Sequence, residues 1–250
     1  MVRILVTRPE PGASRTARRL ETQGFQPVLL PLTVTSALPV EASIGGDAVA
    51  VAVTSANAVR HAPKALVAAL ARLPCHAVGK RTAEACRAAG FLAVMEGPGD
   101  AEALADTIAG GLAGKAIVYL CGRVRFPVFE HRLSAAGVHV QAIETYDTTA
   151  IDYGDADVVA RLSGRPVGAA LLYSAKASLA LVDLMARPTL RHLFEKAEFL
   201  ALSARVAQPM EGVAGNRVRI AAKPEEDALL ALLSQPRQGI SPFYGDGEMP

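Results

Sequence analysis

Small hydroxyl residues and cations recur in this sequence where short apolar runs end and helix-like runs begin. Six such turns occur, and their candidate ligand residues are Thr7, Arg8, Thr54, Ser55, Asn57, Gly79, Lys80, Thr82, Gly122, Arg123, Ser174, Lys176 and Ser203. In open parallel sheets this edge faces the ligand crevice, and helix N-termini present unpaired amides there. Helix capping explains any single turn. Six turns, in two sets of three, favour a crevice that binds a polyanion between two domains.

Tyr146 is a further candidate for chemistry. It is a polar aromatic residue in the connector 144–148 and could project its hydroxyl into the same cleft. A lone tyrosine is more often explained by core or surface packing, because its ring is apolar and only its tip is polar. The residue types alone leave both interpretations open.

Other kinds of site find little support. Residues 97–100 resemble half of a dinucleotide fingerprint, but Pro98 interrupts it and no complete glycine-rich or Walker motif exists. The five histidines share no ligand spacing, so a metal site is not expected. No G-x-S-x-G motif or local Cys-His signature indicates a hydrolase.

Composition narrows the class of protein. The 250 residues are 51% hydrophobic and 20% charged, with a net charge of only +2, which fits an ordinary globular protein. Seven Phe, five Tyr and no Trp are few for base stacking, and we expect no nucleic-acid partner. Three cysteines without Cys-x-x-Cys spacing fit a reduced cytoplasm. Arg8 and Pro9 come too early for a signal peptide, and no apolar stretch is long enough to cross a membrane.

Apolar β-branched runs alternate with Ala- and Leu-rich stretches, which predicts an α/β fold with parallel sheets covered on both faces. The predicted strands are 2–6, 27–30, 48–53, 75–78, 92–95, 116–120, 138–143, 169–173, 199–202 and 217–220. Helices fill most of the gaps. One is predicted over 14–22, with Gly24 as its C-terminal stop.

An internal repeat organises the chain. Residues 4–28 are echoed by 118–140, and 47–59 by 168–178. Likewise 77–83 are echoed by 201–207, and 99–104 by 224–229. The offset between matching blocks rises smoothly along the chain, so two similar half-chains are predicted.

The repeat allows two ways to divide the chain, either into tandem halves or into an inner domain enclosed by an outer one. We favour the enclosed arrangement, with an outer domain of 1–35 plus 150–235, an inner domain of 39–145 and a mobile tail over 236–250. The connectors 31–39 and 144–152 are rich in threonine and could run side by side as a two-strand hinge.

Several of these motifs together resemble the uroporphyrinogen-III synthase family. They are residues 6–9, 53–59, 77–83, 99–104, 146–148 and 223–225, in order along residues 2–233. The resemblance implies two similar parallel-sheet α/β domains joined by a two-stranded β-ladder, with the active site in the interdomain cleft. It also implies cyclisation of hydroxymethylbilane to uroporphyrinogen III, with loss of water, inversion of ring D and no metal or organic cofactor.

The resemblance also implies roles for particular residues. Tyr146 matches the family's cleft tyrosine and would donate to the departing hydroxyl group. Thr82 matches a threonine of the family's Gly-x-x-Thr-Ala turn, and Thr54, Ser55 and Asn57 would contact substrate. The second half departs from the pattern, because residues 203–207 contain no threonine and Lys176 stands where a small polar residue is common.

Two competing functions are kept beside this one. A two-lobed relative without catalytic activity could use the same cleft as a ligand sensor, and the altered turn at 203–207 would then mark lost catalysis. A nucleotide-dependent enzyme is the other, disfavoured by the missing phosphate-binding loops. For the synthase we expect a monomer that receives its substrate by transient hand-over from hydroxymethylbilane synthase.

Overall fold

The structure is a computed structural model, which describes residues 1–40 and 46–235. The strands are β1 Arg3–Val6, β2 Gln26–Leu29, β3 Thr33–Ala37, β4 Ala48–Val53, β5 Cys75–Ala77, β6 Val94–Glu96, β7 Ala116–Gly122, β8 His139–Ala150, β9 Ala169–Leu172, β10 Glu198–Ala201 and β11 Val218–Ile220. The helices are α1 Gly12–Thr22, α2 Ala56–Arg60, α3 Lys64–Leu70, α4 Lys80–Ala89, α5 Ala101–Leu112, α6 Val128–Ala135, α7 Asp155–Arg161, α8 Ala175–Ala186, α9 Ala204–Ala207, α10 Glu211–Ala214 and α11 Glu226–Ala231. Short 3₁₀ segments lie at Arg191–Leu193, Gln208–Met210, Gly215–Arg217 and Leu232–Ser234.

The chain forms two compact units. Unit 1 contains Met1–Thr33 and the residues from Ala150 onward, and unit 2 is Val34–Thr149. The sheet of unit 1 has the order β2-β1-β9-β10-β11, with all its strands parallel. The sheet of unit 2 has the order β3-β8-β7-β4-β5-β6, of which the last five are parallel.

The two sheets have the same strand order once the repeat is taken into account. In unit 1 the first two strands come from the first half-chain and the other three from the second. Among the five parallel strands of unit 2 the origins are exchanged, and β3, from the first half-chain, is added at the edge. The predicted fold, two similar parallel-sheet α/β bodies, is therefore confirmed. The predicted domain limits, 1–35 plus 150–235 and 39–145, stay a prediction, and the tail 236–250 lies outside the described residues.

Alternating side chains on each strand supply two cores per sheet, because successive residues of a strand point to opposite faces. On β1, Leu5 packs in the cluster with Leu172 and Phe199, whereas Ile4 packs with Leu171 on the other face. On β7 of unit 2, Val118 and Leu120 enter one cluster, and Ile117, Tyr119 and Cys121 enter the opposite one. Each sheet is thus covered by helices on both faces, as its apolar runs predict.

Several helices end at a glycine in the left-handed conformation. At the end of α1, Gly24 has φ +80° and donates to the Glu21 carbonyl at 3.0 Å, while the Phe25 amide donates to Leu20 at 3.0 Å. The left-handed conformation favours glycine, and the two bonds satisfy carbonyls left over at the helix end. Gly90 and Gly137 end α4 and α6 in the same way. The predicted stop at Gly24 is confirmed.

Most predicted strands agree with the structure to within one or two residues at each end, and the differences at two of them have a clear physical cause. The strand predicted over 138–143 continues to Ala150, because β7 pairs with it as far as Tyr146 and β3 pairs with its later residues. The Leu38 amide donates to Thr145, the Thr35 and Thr148 hydroxyls lie 3.1 Å apart, and the Ile151 amide donates to Leu32. As residue numbers rise on one strand they fall on the other, so this pair is antiparallel. The two connectors do run side by side, whereas their action as a hinge stays a prediction.

The strand predicted over 92–95 begins at Val94 instead. The Leu92 amide donates to the Ala71 carbonyl at 3.0 Å, outside the sheet, and the Leu92 side chain is 78% exposed. An apolar residue type had suggested burial, but the hydrogen bond to Ala71 holds Leu92 in a bend before the strand.

Candidate functional site

The six predicted turns lie at the carboxyl edges of neighbouring strands. In unit 2 they follow β7, β4 and β5, which are adjacent, and in unit 1 they follow β1, β9 and β10, also adjacent. In both sheets the chain reverses its direction of strand addition within these sets, between β4 and β7 and between β1 and β9. Such switch points are where open parallel sheets bind ligands.

The turn between β4 and α2 is built by side-chain capping. Ser55 is the N-cap residue, and its hydroxyl accepts from the Asn57 amide at 3.2 Å. The Thr54 hydroxyl lies 2.7 Å from the Tyr119 hydroxyl. Burial raises the pKa of Tyr119 to about 12, so this phenol stays protonated at neutral pH. Thr54, Ser55 and Asn57 are thus brought together at one edge.

The turn between β5 and α4 depends on close backbone approach. A Cβ atom added to Gly79 would lie 3.2 Å from the Gly99 Cα atom, which is tighter than ordinary contact. The Gly79 carbonyl accepts from the amides of Thr82 and Ala83, starting α4. Lys80 is exposed, whereas Thr82 is buried at 6% exposure. Close packing against Gly99 therefore favours glycine at position 79, and Lys80 is the side chain of this turn that reaches solvent.

The turn after β7 positions Tyr146. The Arg123 amide donates to the Tyr146 carbonyl at 2.9 Å, and a Cβ atom on Gly122 would lie only 2.6 Å from the Tyr146 Cζ atom. The Tyr146 ring therefore packs directly over Gly122. Arg123 is half-exposed and pairs with Glu144 at 3.3 Å and with Asp147 at 3.8 Å. The structure thus brings together three of the predicted residues, Gly122, Arg123 and Tyr146.

A histidine that sequence reasoning did not single out lies beside this tyrosine. The ring centroids of His61 and Tyr146 are 6.1 Å apart. Burial and the nearby Arg60 charge lower the pKa of His61, which favours the neutral imidazole at pH 7. The only signal for His61 in the sequence was its position just after α2, since it matches no ligand spacing.

Arg125 was also missed by sequence reasoning, and it anchors the loop between β7 and α6. Its guanidinium contacts Glu130 at 2.8 Å, Glu144 at 2.9 Å and the Gly122 carbonyl at 3.3 Å. Hydrogen bonds from Arg125 to Glu130 and Glu144, partly opposed by burial, raise the pKa of the guanidinium. The loop that carries Gly122 is thereby fixed by charge-assisted hydrogen bonds.

In unit 1 the predicted residues Thr7 and Arg8 have partners within the fold. Thr7 is fully buried, and its hydroxyl donates to the Leu171 carbonyl at 2.6 Å. Arg8 pairs with Glu226 at 3.1 Å and lies over the Tyr173 ring at 4.3 Å. Thr7 thus links β1 to β9, and Arg8 is largely enclosed, with 17% of its side chain exposed.

The Glu226 carboxylate is the centre of a polar cluster that the sequence did not predict. It accepts hydrogen bonds from the hydroxyls of Thr16 at 2.5 Å and Tyr173 at 3.0 Å, in addition to its ion pairs with Arg8 and with Arg19 at 3.4 Å. Burial would raise the pKa of Glu226, but these donors outweigh it and the pKa is lowered. Burial raises the pKa of Tyr173 to about 12. We call these five residues the Glu226 cluster.

The two remaining turns of unit 1 differ from each other. The Ser174 hydroxyl accepts from the Ala177 amide at 3.2 Å and caps α8, with Lys176 partly exposed in the first turn. Ser203 precedes α9 but makes no side-chain cap, although its carbonyl accepts from Val206 and Ala207. Because α9 has only four residues, this turn is the least developed of the six.

Other possible sites in the described part of the chain are few. Among residues 1–40 and 46–235, no group of three or more His, Cys, Asp or Glu side chains could hold a metal ion. No helix in these ranges is long and apolar enough to cross a membrane. A cavity of about 410 Å³ in unit 2 is lined by Asp47, Ser134 and His139, among others. It lies where β4, β7 and β8 begin, at the edge of the sheet opposite to the turns.

Two sheets whose five parallel strands have the same order, each with three polar turns on its carboxyl edge, define an α/β class of ligand-binding protein whose sequence has no phosphate-binding loop. The sequence model described as uroporphyrinogen-III synthase HemD matches residues 14–231, so the chain belongs to the uroporphyrinogen-III synthase family. No significant match occurs among curated proteins.

Solved structures share the fold. Uroporphyrinogen-III synthetase from Helicobacter pylori is 16% identical, with a TM-score of 0.64, over 94% of this chain and 99% of that chain. A mutant uroporphyrinogen III synthase from Thermus thermophilus is 19% identical, with a TM-score of 0.53, over 94% of this chain and 98% of that chain. At these identities the likeness establishes the architecture.

Proposed function

We propose that this protein cyclises hydroxymethylbilane to uroporphyrinogen III. The observation that carries the proposal is the match to the synthase family over residues 14–231, together with a tyrosine whose ring packs over Gly122 at the carboxyl end of β7. The reaction removes one water and closes one ring, with ring D inverted, so it involves no net oxidation or reduction. The proposal therefore names no cofactor.

The substrate carries eight carboxylates, and the six turns offer groups that bind them. Capped helix N-termini present amides and a positive end of the helix dipole, which stabilise carboxylates without a large basic surface. The net charge of +2 fits this mode of binding. We assign Ser55, Asn57, Lys80, Arg123, Ser174 and Lys176 as carboxylate contacts on the basis of their partial exposure.

Tyr146 is assigned to the departure of the hydroxyl group. Its phenol donates a hydrogen bond to that group as the C–O bond breaks, which leaves an azafulvene and water. The substituted carbon of ring D then attacks the azafulvene, giving a spiro intermediate that rearranges and closes. The protein must also hold ring D in place for this attack. This positioning lowers the activation barrier more than proton donation by Tyr146 does.

The test is the rate of hydroxymethylbilane consumption and the isomer ratio of the product. Spontaneous closure gives the isomer without inversion, so formation of the type III isomer identifies enzymatic closure. We expect Tyr146→Phe to lower the rate by up to about 100-fold, the low end of general acid assistance. Tyr153→Phe is the control, because the Tyr153 hydroxyl donates to the Pro31 carbonyl within unit 1.

A Tyr146→Phe rate within twofold of the unmodified protein would remove Tyr146 from this role. Binding of the substrate without any type III product would contradict the enzyme and favour a sensor. We further propose that the protein acts in the cytoplasm as a monomer and receives its unstable substrate from hydroxymethylbilane synthase. Units 1 and 2 are proposed to be the outer and inner domains, with β3 and β8 as the hinge.

A further inference from the structure

The loop between β7 and α6 exposes two large apolar side chains at the carboxyl edge of the unit 2 sheet. Val124 is 69% exposed and Phe126 is 57% exposed. We call this pair the apolar lip. Single exposed apolar residues are common on protein surfaces, and two on one short loop give that loop a small apolar surface beside the polar turns.

The loop is held in place from below by the residue between them. Arg125 points inward, and its guanidinium bridges Glu130 on α6 and Glu144 on β8 at 2.8 and 2.9 Å. It also donates to the Arg123 carbonyl at 3.4 Å. Since Arg125 is fixed, its two neighbours in sequence are presented outward at little further cost in conformational entropy.

The chain just before the apolar lip contacts the tyrosine assigned to catalysis. Gly122, two residues before Val124, lies under the Tyr146 ring, and the Arg123 amide donates to the Tyr146 carbonyl at 2.9 Å. The same anchored loop therefore carries both the contact that places Tyr146 and the exposed apolar side chains.

We propose that the apolar lip binds the face of a pyrrole ring of the substrate and so helps to select the ring that is held beside Tyr146. This inference rests on the proposed function. The six turns offer amides, hydroxyls and cations to carboxylates. A linear tetrapyrrole also has four aromatic rings, and those polar groups do not cover the apolar faces of these rings. An aromatic side chain stacks favourably on such a face, and a neighbouring aliphatic side chain excludes water from its rim.

The test compares Phe126→Ser and Val124→Ser with Leu92→Ser. Leu92 is a matched control, because it is 78% exposed in the same unit but lies just before β6, at the opposite edge of the sheet. We expect each lip variant to raise KM for hydroxymethylbilane by about three- to tenfold with kcat changed less, and to raise the fraction of the uninverted isomer. Titration with uroporphyrin III, followed by its own fluorescence, should show a similar loss of affinity. Leu92→Ser should leave all three quantities unchanged.

Unchanged KM, isomer ratio and uroporphyrin affinity in both lip variants would overturn the inference, provided that the unmodified protein makes the type III isomer. If the unmodified protein makes none, the proposed function itself has failed, and the two failures are thereby distinguished. A concentration-dependent dimer in sedimentation that Phe126→Ser abolishes, with catalysis unaffected, would assign the lip to a second copy of the chain and also overturn the inference.

Discussion

At the scale of single residues, the contact between Gly122 and Tyr146 makes a sharp prediction. A Cβ atom at position 122 would lie 2.6 Å from the Tyr146 Cζ atom and 2.9 Å from its hydroxyl oxygen, closer than real Cβ atoms approach. Gly122→Ala therefore displaces the phenol. We expect the rate of type III formation to fall about as far as in Tyr146→Phe, with the unfolding free energy changed by less than about 1–2 kcal/mol, because the ring can swing outward.

Gly111→Ala is the matched control for this substitution. Nothing lies within 4 Å of a Cβ atom at Gly111, which is within α5. Alanine is the better helix former, so this variant should gain up to about 1 kcal/mol of stability with unchanged activity. Full activity in Gly122→Ala would show that the position of the Tyr146 ring does not matter to the reaction.

Sequence reasoning found these residues in part. Tyr146 and Gly122 stood out because one is a polar aromatic in a connector and the other lies in the turn after a predicted strand. Arg125, Glu144 and Glu226 did not stand out, because their partners are 5 to 218 residues away and no local spacing records such pairs. Thr7 satisfied the same pattern as the other turn residues, yet its hydroxyl is used inside the sheet.

At the scale of elements, the Glu226 cluster ties four segments of unit 1 together. Its donors come from α1, from the residue after β9 and from the turn after β1, while the carboxylate belongs to the first turn of α11. Glu226→Gln keeps the shape of the side chain but removes the charge that all four donors face. We expect it to lower the unfolding free energy by about 1–2 kcal/mol, as for other partly buried charge-assisted hydrogen bonds.

The pH dependence of this loss follows from the direction of the pKa shift. The pKa of Glu226 is below its ordinary value of 4.5, so the ionised carboxylate stabilises the fold fully above about pH 4.5 and less as the pH falls through the folded pKa. Denaturant titrations at several pH values should therefore show a constant difference between Glu226→Gln and the unmodified protein near neutrality, narrowing in acid. Glu225→Gln is the control, because Glu225 is exposed and makes no side-chain cap. A difference that grows in acid would contradict the assigned ionisation.

The limits of strands were predicted best where a continuous apolar run forms a strand that is buried on both faces of its sheet. The limits of β4 came out as predicted, and most other parallel strands were displaced by only one residue at an end, because their continuous apolar runs are buried on both faces. The limits of β8 and β6 were wrong for a physical reason. The extension of β8 depends on β3, a distant partner, and the start of β6 depends on where the Leu92 amide finds its acceptor.

At the scale of the whole molecule, the two half-chains are interleaved. The parallel part of each sheet takes two strands from one half and three from the other, in the same order in space, and the unit 2 sheet adds β3 at its edge. Internal similarity predicted two like bodies but left the division of the chain open, because tandem and enclosed arrangements use the same repeats. The contacts that decide between them are long-range pairings such as β1 with β9, which the sequence alone does not record.

This interleaving predicts how the chain can be divided. All strands of the unit 2 sheet except the first residue of β3 and the last of β8 lie within Val34–Thr149, and both of its cores are drawn from that range. A fragment of residues 34–149 should therefore fold alone, with cooperative unfolding in urea.

Unit 1 needs both of its segments, but these meet closely, because the Ile151 amide donates to the Leu32 carbonyl at 3.0 Å. Joining Thr33 to Ala150 by a short glycine-rich linker should give a second folded protein, since closing so short a loop costs little entropy. Residues 150–235 alone are the matched control: without β1 and β2, the apolar edge of β9 is uncovered, and we expect them to remain unfolded or to aggregate. Circular dichroism and urea titration of the three fragments check this, and a folded control fragment beside an unfolded joined one would show that the division lies elsewhere.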